Sequence, residues 1–258
     1  MIRIRPAALL LTAALAAFTP VAAQAQSASS PAPMASVPMD DAQRKAIEGV
    51  VRDYLMKNPE IILEAVDALQ QRQKVAEEER ARKALTENKK ALFENPVDVV
   101  IGNPQGDVTV VEFFDYQCGY CKAVQGDTQR LIKDDGKVRF VLKEFPILGP
   151  ASVTAAKAAI ASRAQGKYVD YHNALMAHRG QLDDDTIMRL AKSVGIDADR
   201  LKKDMESPDV LKVVAVNQML AEQLNIRGTP AFIIGDSLVP GAIKLDEMKR
   251  LVDAARKG

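Results

Sequence analysis

Apolar positions fall into distinct regimes along the chain. Ala7 to Phe18 is an apolar run rich in Ala and Leu, preceded by Arg3 and Arg5 and followed by Ala23-Gln24-Ala25. That run is too short for a spanning helix, and residues 1–25 read as a cleaved secretory signal. Residues 26–38, rich in Ser, Ala and Pro, are expected to form a disordered leader. A helical period then begins, capped by Asp40 or Asp41, with Ile47, Val50, Val51, Tyr54 and Leu55 on one stripe. Asn58-Pro59 breaks it, with Asn58 expected to cap a second helix carrying Ile61, Ile62, Ala65, Val66 and Leu69. Gln70 to Lys90 is polar nearly all round, with Glu78–Arg82 and Glu79–Lys83 spaced as i,i+4 pairs. A single helix from Pro59 to Phe93 would be roughly 50 Å long at 1.5 Å per residue. The two stripes are too small for a core of their own. Residues 39–95 therefore read as a helical oligomerisation segment and stalk, with 39–93 packing against further copies; the competing reading folds them back on the rest of the chain.

From Val97 the pattern changes to mixed α/β. Val108 to Tyr116 is strongly β-prone and reads as a buried central strand, and Cys118-Gly-Tyr-Cys121 follows directly. Lys122 to Lys133 can form a helix, Asp135-Gly136 a turn, and Val138 to Glu144 alternates as a strand. Ser152 to Leu224 carries almost only helical patterns, with Met176, Met188, Met205 and Met219 as core filler. Ala231 to Ile234 is a short strand, Gly235-Asp236 a hairpin turn into Leu238-Val239, and a helix bearing Leu245, Met248, Leu251, Val252 and Ala255 closes the chain. Without the helical block the order is a βαβ unit followed by ββα.

Composition narrows the function. Lys+Arg is 35 and Asp+Glu 34, and loss of residues 1–25 removes two arginines and no acid, leaving a net charge of −1. No electrostatic case for nucleic-acid binding remains. The only cysteines are Cys118 and Cys121, and the only histidines, His172 and His178, lie over fifty residues away. A zinc site lacks properly spaced partners, and the histidines read as surface residues. A structural disulfide across two residues would close a loop too small to stabilise much. A redox pair suits the spacing: Cys118 exposed at a helix N-terminus, where free N–H groups favour a thiolate, and Cys121 one turn later, shielded. Glu112 sits in an otherwise apolar strand, where burial would raise its pKa. Lys143 reads as a solvated strand end, and Phe114 and Tyr116 as core or rim.

The run VVEFFDYQCGYCK resembles the active-site segment of the DsbA-type branch of the thioredoxin superfamily. Together with the helical segment, the stalk and GNPQGDVTVV, it is similar to the oligomeric ScsC-type members. The resemblance runs from Ile47 to the C-terminus, and is specific from Gly102 to Lys122 and around Thr229-Pro230. It implies an α/β, thioredoxin-like fold over residues 96–258 with a DsbA-type helical insertion at about 151–225. It implies that Cys118 is the nucleophile, Cys121 the resolving cysteine, and Gly119 and Tyr120 the dipeptide that tunes potential and substrate fit. Thr229 and Pro230 match the cis-proline loop that pairs with substrate backbone, and Glu112 the buried acid, a proton acceptor for Cys121. The dipeptide lacks the histidine of the strongly oxidising CPHC members, whereas Gly-Tyr is shared with bacterial disulfide isomerases of the family. The expected function is a periplasmic thiol:disulfide oxidoreductase, an isomerase or reductase. The alternatives are a DsbA-like oxidase, a copper-linked Cu(I)-binding thiol protein, or a binding domain with a structural disulfide. No metal and no cofactor beyond the redox-active Cys118–Cys121 pair is expected. The partners implied are unfolded or misoxidised exported proteins, a membrane redox partner and further copies of the chain.

Overall fold

A computed structural model describes residues 39–257, so the expected signal (1–25) and leader (26–38) lie outside the described residues. Helix α1 (Asp41–Lys57) begins in a reciprocal capping box: Asp40 accepts the Gln43 N–H at 2.8 Å and Gln43 Oε1 accepts the Asp40 N–H at 3.1 Å. Asn58 closes this helix rather than capping the next, because its side-chain amide donates to the Tyr54 carbonyl at 2.8 Å. Helix α2 (Glu60–Glu87) stops at Asn88 before the short α3 (Lys89–Phe93), so the polar stretch is not one rod to Phe93. Its i,i+4 ion pairs are Lys74–Glu78 at 4.0 Å and Lys83–Glu87 at 3.8 Å, in place of the two expected. Exposed pairs of either kind contribute at most about 0.5 kcal/mol, too little to select a rotamer.

The chain divides into two compact units, one ending at Leu63 and one starting at Glu64. In the first, the apolar stripe of Ile47, Val50, Val51 and Tyr54 is exposed. In the second, α2 buries no side chain fully before Leu85. That residue and Leu92 of α3 are buried in a cluster with strand residues Val111, Phe113 and Val141. At about 1.5–3 kcal/mol per buried leucine, the end of the expected stalk is part of the sheet's own core.

Five strands make the sheet: β1 (Val99–Gly102), β2 (Val108–Phe114), β3 (Val138–Glu144), β4 (Ala231–Ile234) and β5 (Ser237–Pro240). Their order is β1-β3-β2-β4-β5, with β2 and β3 parallel and the other pairings antiparallel. The parallel pair requires a crossover, supplied by α4 (Gly119–Asp135), which ends on Gly136 at φ +67°. The connection into β2 passes β3 closely. A Cβ on Gly106 would lie 2.3 Å from the Lys137 carbonyl oxygen, so only glycine fits. Gly235, at φ +58°, turns β4 into β5. Strand β1 was not legible in the sequence. Its signal is only Val99-Val100-Ile101 before Gly102.

The insertion between β3 and β4 is helical throughout: α5 (Pro150–Ala161), a single 3-10 turn, α6 (Tyr168–Ala177), α7 (Asp184–Ser193), α8 (Ala198–Asp204) and α9 (Pro208–Gln223). Alternation along the strands then separates two cores. Val110, Phe114, Phe140, Leu142 and Phe232 face α4, the insertion and the terminal helix α10 (Leu245–Lys257). Val111, Phe113, Val141 and Ile233 face α3 and the end of α9. Met176 and Met205 fill the first core, but Met219 is exposed on α9. Lys143 also departs from expectation. It is fully buried on the second face, where Nζ pairs with Asp98 Oδ2 at 2.5 Å and donates to the Ala91 carbonyl at 2.8 Å. Helix α3 and the segment after it fold over the end of β3, α3 supplying Ala91 and the segment Asp98. No described helix is long and apolar enough to cross a membrane.

Candidate active site

The turn after β2 is built on Asp115. Its Oδ1 accepts the Gln117 N–H at 2.7 Å and the Ser152 hydroxyl at 2.7 Å. Its Oδ2 accepts the N–H groups of Ile147 and Leu148 at 2.8 and 3.0 Å. Its backbone carbonyl accepts the Cys118 N–H at 3.0 Å. One buried carboxylate thus ties the cysteine turn to the loop before α5. Sequence reasoning missed Asp115; the available signal was an Asx residue at a strand-to-helix turn.

Cys118 is the N-cap of α4, and its sulfur accepts the Cys121 N–H at 3.4 Å. The same thiol donates to the Thr229 carbonyl at 3.2 Å, and the Thr229–Pro230 peptide bond is cis. The loop before β4 therefore lies directly against the CxxC turn, as the resemblance implied. It also covers Cys118, which is 5% exposed rather than open to solvent as expected. Gly119 and Tyr120 are exposed, Tyr120 by 71%. Ile147 and Leu148, on the loop held by Asp115, add exposed apolar surface.

Cys121 is fully buried behind Cys118. Burial, and then the neighbouring Glu112 carboxyl, push its thiol well above the ordinary range. Glu112 is 2% exposed and stands opposite Leu142 and Phe232 in the sheet, facing the core that holds Cys121. Among the described residues no basic side chain pairs with it, and burial raises its carboxyl to about 8. Lys143 cannot compensate it: adjacent strand positions point to opposite faces, and Lys143 shares the face of Phe113. Lys122 donates to the His178 carbonyl at 2.8 Å, with its pKa lowered by burial and then by Arg179. His172 is a second departure from expectation. It is buried on α6, 3.0 Å from the Tyr116 hydroxyl, and burial pushes its imidazole down to about 3. Among the described residues no cluster of three or more His, Cys, Asp or Glu could hold a metal.

Comparison with known proteins agrees with this geometry. The family model described as DSBA-like thioredoxin domain matches residues 109–253. The model described as copper resistance protein ScsC N-terminal domain matches residues 43–76. A thioredoxin-like oxidoreductase from Silicibacter pomeroyi is 46% identical, with TM-score 0.66 over 66% of this chain and 99% of that one. ScsC of Proteus mirabilis in a transitional conformation is 31% identical, with TM-score 0.63 over 85% of this chain and 99% of that one. Disulfide bond formation protein D of Bacillus subtilis is 27% identical over 171 residues, 62% of this chain and 77% of that protein. The chain spans about a quarter of the length of other curated relatives, such as the Na(+)/H(+) antiporter NhaA 1 of Salinispora arenicola, 28% identical over 163 residues, 62% of this chain. The domain match covers more than half of the sequence, including the strand, the CxxC turn and the loop that faces it, and the chain therefore belongs to the DSBA-like thioredoxin domain family.

Proposed function

We propose that the protein is a periplasmic thiol:disulfide oxidoreductase acting on exported proteins through Cys118 and Cys121. The observation that carries this reading is the placement of the Cys118 thiol between the N-terminus of α4 and the Thr229 carbonyl. As a thiolate, Cys118 no longer donates to Thr229 and leaves that carbonyl free for a substrate backbone N–H. The Cys118 thiolate attacks a substrate disulfide, forming one Cys118–substrate bond and releasing one substrate thiolate. The ionised form of Glu112 takes the Cys121 proton, and Cys121 attacks the Cys118 sulfur. A Cys118–Cys121 disulfide forms, and the second substrate thiolate leaves. The reverse sequence oxidises a dithiol. Glu112, raised to about 8, is a base matched to a thiol that burial has made hard to ionise. Gly119 and Tyr120 tune the pair, and Thr229 and Pro230 seat the substrate.

The direction assigned is isomerase or reductase, with Cys118 kept reduced by a membrane partner. The exposed stripe of α1 supports it: a homo-oligomer through residues 39–93 would hold several sites around one misoxidised client. A DsbA-like oxidase is the alternative. A disulfide-exchange assay tests the reading. Wild type should reduce a protein disulfide, Cys118→Ser should be inactive, and Cys121→Ser should accumulate a mixed disulfide. An active Cys118→Ser protein would overturn the assignment. Thiol trapping in cells separates the directions, since a mostly oxidised pair marks an oxidase.

A further inference from the structure

A second buried acid stands on the same face of the sheet as Glu112. Glu144, the last residue of β3, pairs in register with Phe114 and is 3% exposed. Its Oε1 accepts the Tyr168 hydroxyl at 2.6 Å and the Tyr116 hydroxyl at 3.0 Å. The Tyr116 oxygen also lies 3.0 Å from His172 Nδ1, and His172 Nε2 lies 3.4 Å from Gln125 Nε2. Tyr116 has one proton. Given to Glu144, it leaves the phenol oxygen as acceptor, so the His172 proton belongs on Nδ1 and the bare Nε2 accepts from Gln125. The donors then run in one direction, from Gln125 through His172 and Tyr116 to Glu144.

Among the described residues the other oxygen of Glu144, Oε2, has no donor, and neither has Oδ1 of Asn217 on α9. Asn217 nevertheless packs here, its Nδ2 donating to the Glu144 backbone carbonyl at 3.1 Å. A proton on Oε2 turns one of these two orphaned acceptors into a donor. Burial pushes the Glu144 carboxyl up to about 8, against the two tyrosine hydrogen bonds and assisted by Asp115. The groups facing it are Asp115 and Tyr116 from the turn after β2, Tyr168 and His172 from α6, and neutral Asn217 from α9; Arg163 acts from the turn after α5 through Tyr168. None is a basic side chain paired with it.

The ends of this network lie on either side of the cysteines. Tyr116 stands two residues before Cys118, and Gln125 stands one helical turn after Cys121 on α4. We propose that Glu144 is a positioning residue for the Cys118–Cys121 pair, locking the turn before Cys118 to the second turn of α4 through Tyr116 and His172. The proposal rests on the thiol–disulfide reading of the site. It gives the insertion a role in the chemistry, because α6 supplies Tyr168 and His172 and α9 supplies Asn217. Ionisation of Glu144 places an unpaired charge among these groups and loosens the lock, so exchange falls at alkaline pH.

The test compares exchange with a disulfide-bonded peptide, between pH 6 and pH 9.5, in the wild-type chain and in Glu144→Ala, Glu144→Gln and Tyr116→Phe. The equilibrium with glutathione is read in parallel. Glu144→Ala is expected to lower kcat/KM about 10- to 100-fold, as small misplacements of reacting groups do. It should also shift the glutathione equilibrium, which a merely structural residue would not move. Glu144→Gln keeps an acceptor for both tyrosines and cannot ionise. It should restore most of the rate at pH 7 and outpace wild type at pH 9. If Glu144→Ala does not fold, Tyr116→Phe, which removes the bonds to both Glu144 and His172, carries the same expectation. Unchanged rate and equilibrium in the folded variant, or a Glu144→Gln profile that tracks wild type at every pH, overturns the proposal alone. An inert wild-type chain overturns the site reading and the proposal with it.

Discussion

Replacing Glu112 by Gln should stabilise the reduced protein at neutral pH and have little effect in acid. The carboxyl titrates near 4.5 in the unfolded chain and at about 8 in the folded one, because burial is uncompensated by any cation among the described residues. Below pH 4.5 both states are protonated and the residue carries no penalty. As pH rises, the unfolded chain releases the proton and the folded chain keeps it, so stability is lost by about 1.4 kcal/mol per pH unit until the folded group ionises. The penalty is under ~1 kcal/mol at pH 5, about 3 kcal/mol at pH 7, and levels off near ~5 kcal/mol above pH 8. Burying the amide of Gln costs something too, but that cost does not titrate. The slope, not the offset, is therefore the readout. Urea unfolding of wild type and Glu112→Gln under reducing conditions at pH 5, 6, 7 and 8 gives the difference directly, and titration of Glu144 cancels because both proteins contain it. A difference that grows by about 2.5 kcal/mol from pH 5 to pH 7 meets the expectation. A flat difference would refute the claim that Glu112 is buried without a counter-charge, and with it the case for Glu112 as a base matched to Cys121.

The other expectations follow from named contacts. Lys143→Met should cost about 3–5 kcal/mol by stranding Asp98, and adding Asp98→Asn should recover most of it; thermal melts of the single and double variants decide this. Gly106→Ala should lower the melting temperature, since its Cβ would meet the Lys137 carbonyl oxygen at 2.3 Å, and an unchanged melt would contradict the close approach. Val51→Glu with Tyr54→Glu places charge in the exposed stripe of α1 and should convert an oligomer to monomers in light scattering without loss of reduction by a single site. If the mass does not change, that stripe is not the interface.

Which parts of this molecule could be read from the sequence follows from how local their causes are. β2, β3, the β4–β5 hairpin and α10 declare themselves by runs and periods within the element, and Asp135-Gly136 and Gly235-Asp236 by turn chemistry a residue or two long. The cysteine pair was legible for the same reason: spacing, a preceding β-run and a following helix are all within a dozen residues. Two features failed for lack of local cause. β1 is four residues long and exists because β3 offers it an edge. Cys118 looks exposed at a helix start until a loop more than a hundred residues later is laid against it.

The buried charges show the same rule more sharply. Glu112 was readable because it interrupts the middle of an apolar strand, where both neighbours must be inside. Lys143 and Glu144 end their strand, and there a charge ordinarily marks the exit to solvent. Each is buried by something distant: Lys143 by α3, which brings Ala91, and the segment after it, which brings Asp98, and Glu144 by α6 and α9. The signal for Glu144 lay in the insertion and not in the strand. Tyr168 and His172 are one turn apart on the face of α6 that also carries Tyr171 and Leu175, and their rings stack at 5.9 Å. Polar aromatics on a helix's apolar face need buried partners for their hydrogen bonds. A strand-end acid and a Tyr–His pair on an inward helix face, neither informative alone, jointly specify a buried polar network. Here that network ends at the turn before Cys118 and at the second turn of α4, which bracket the cysteines.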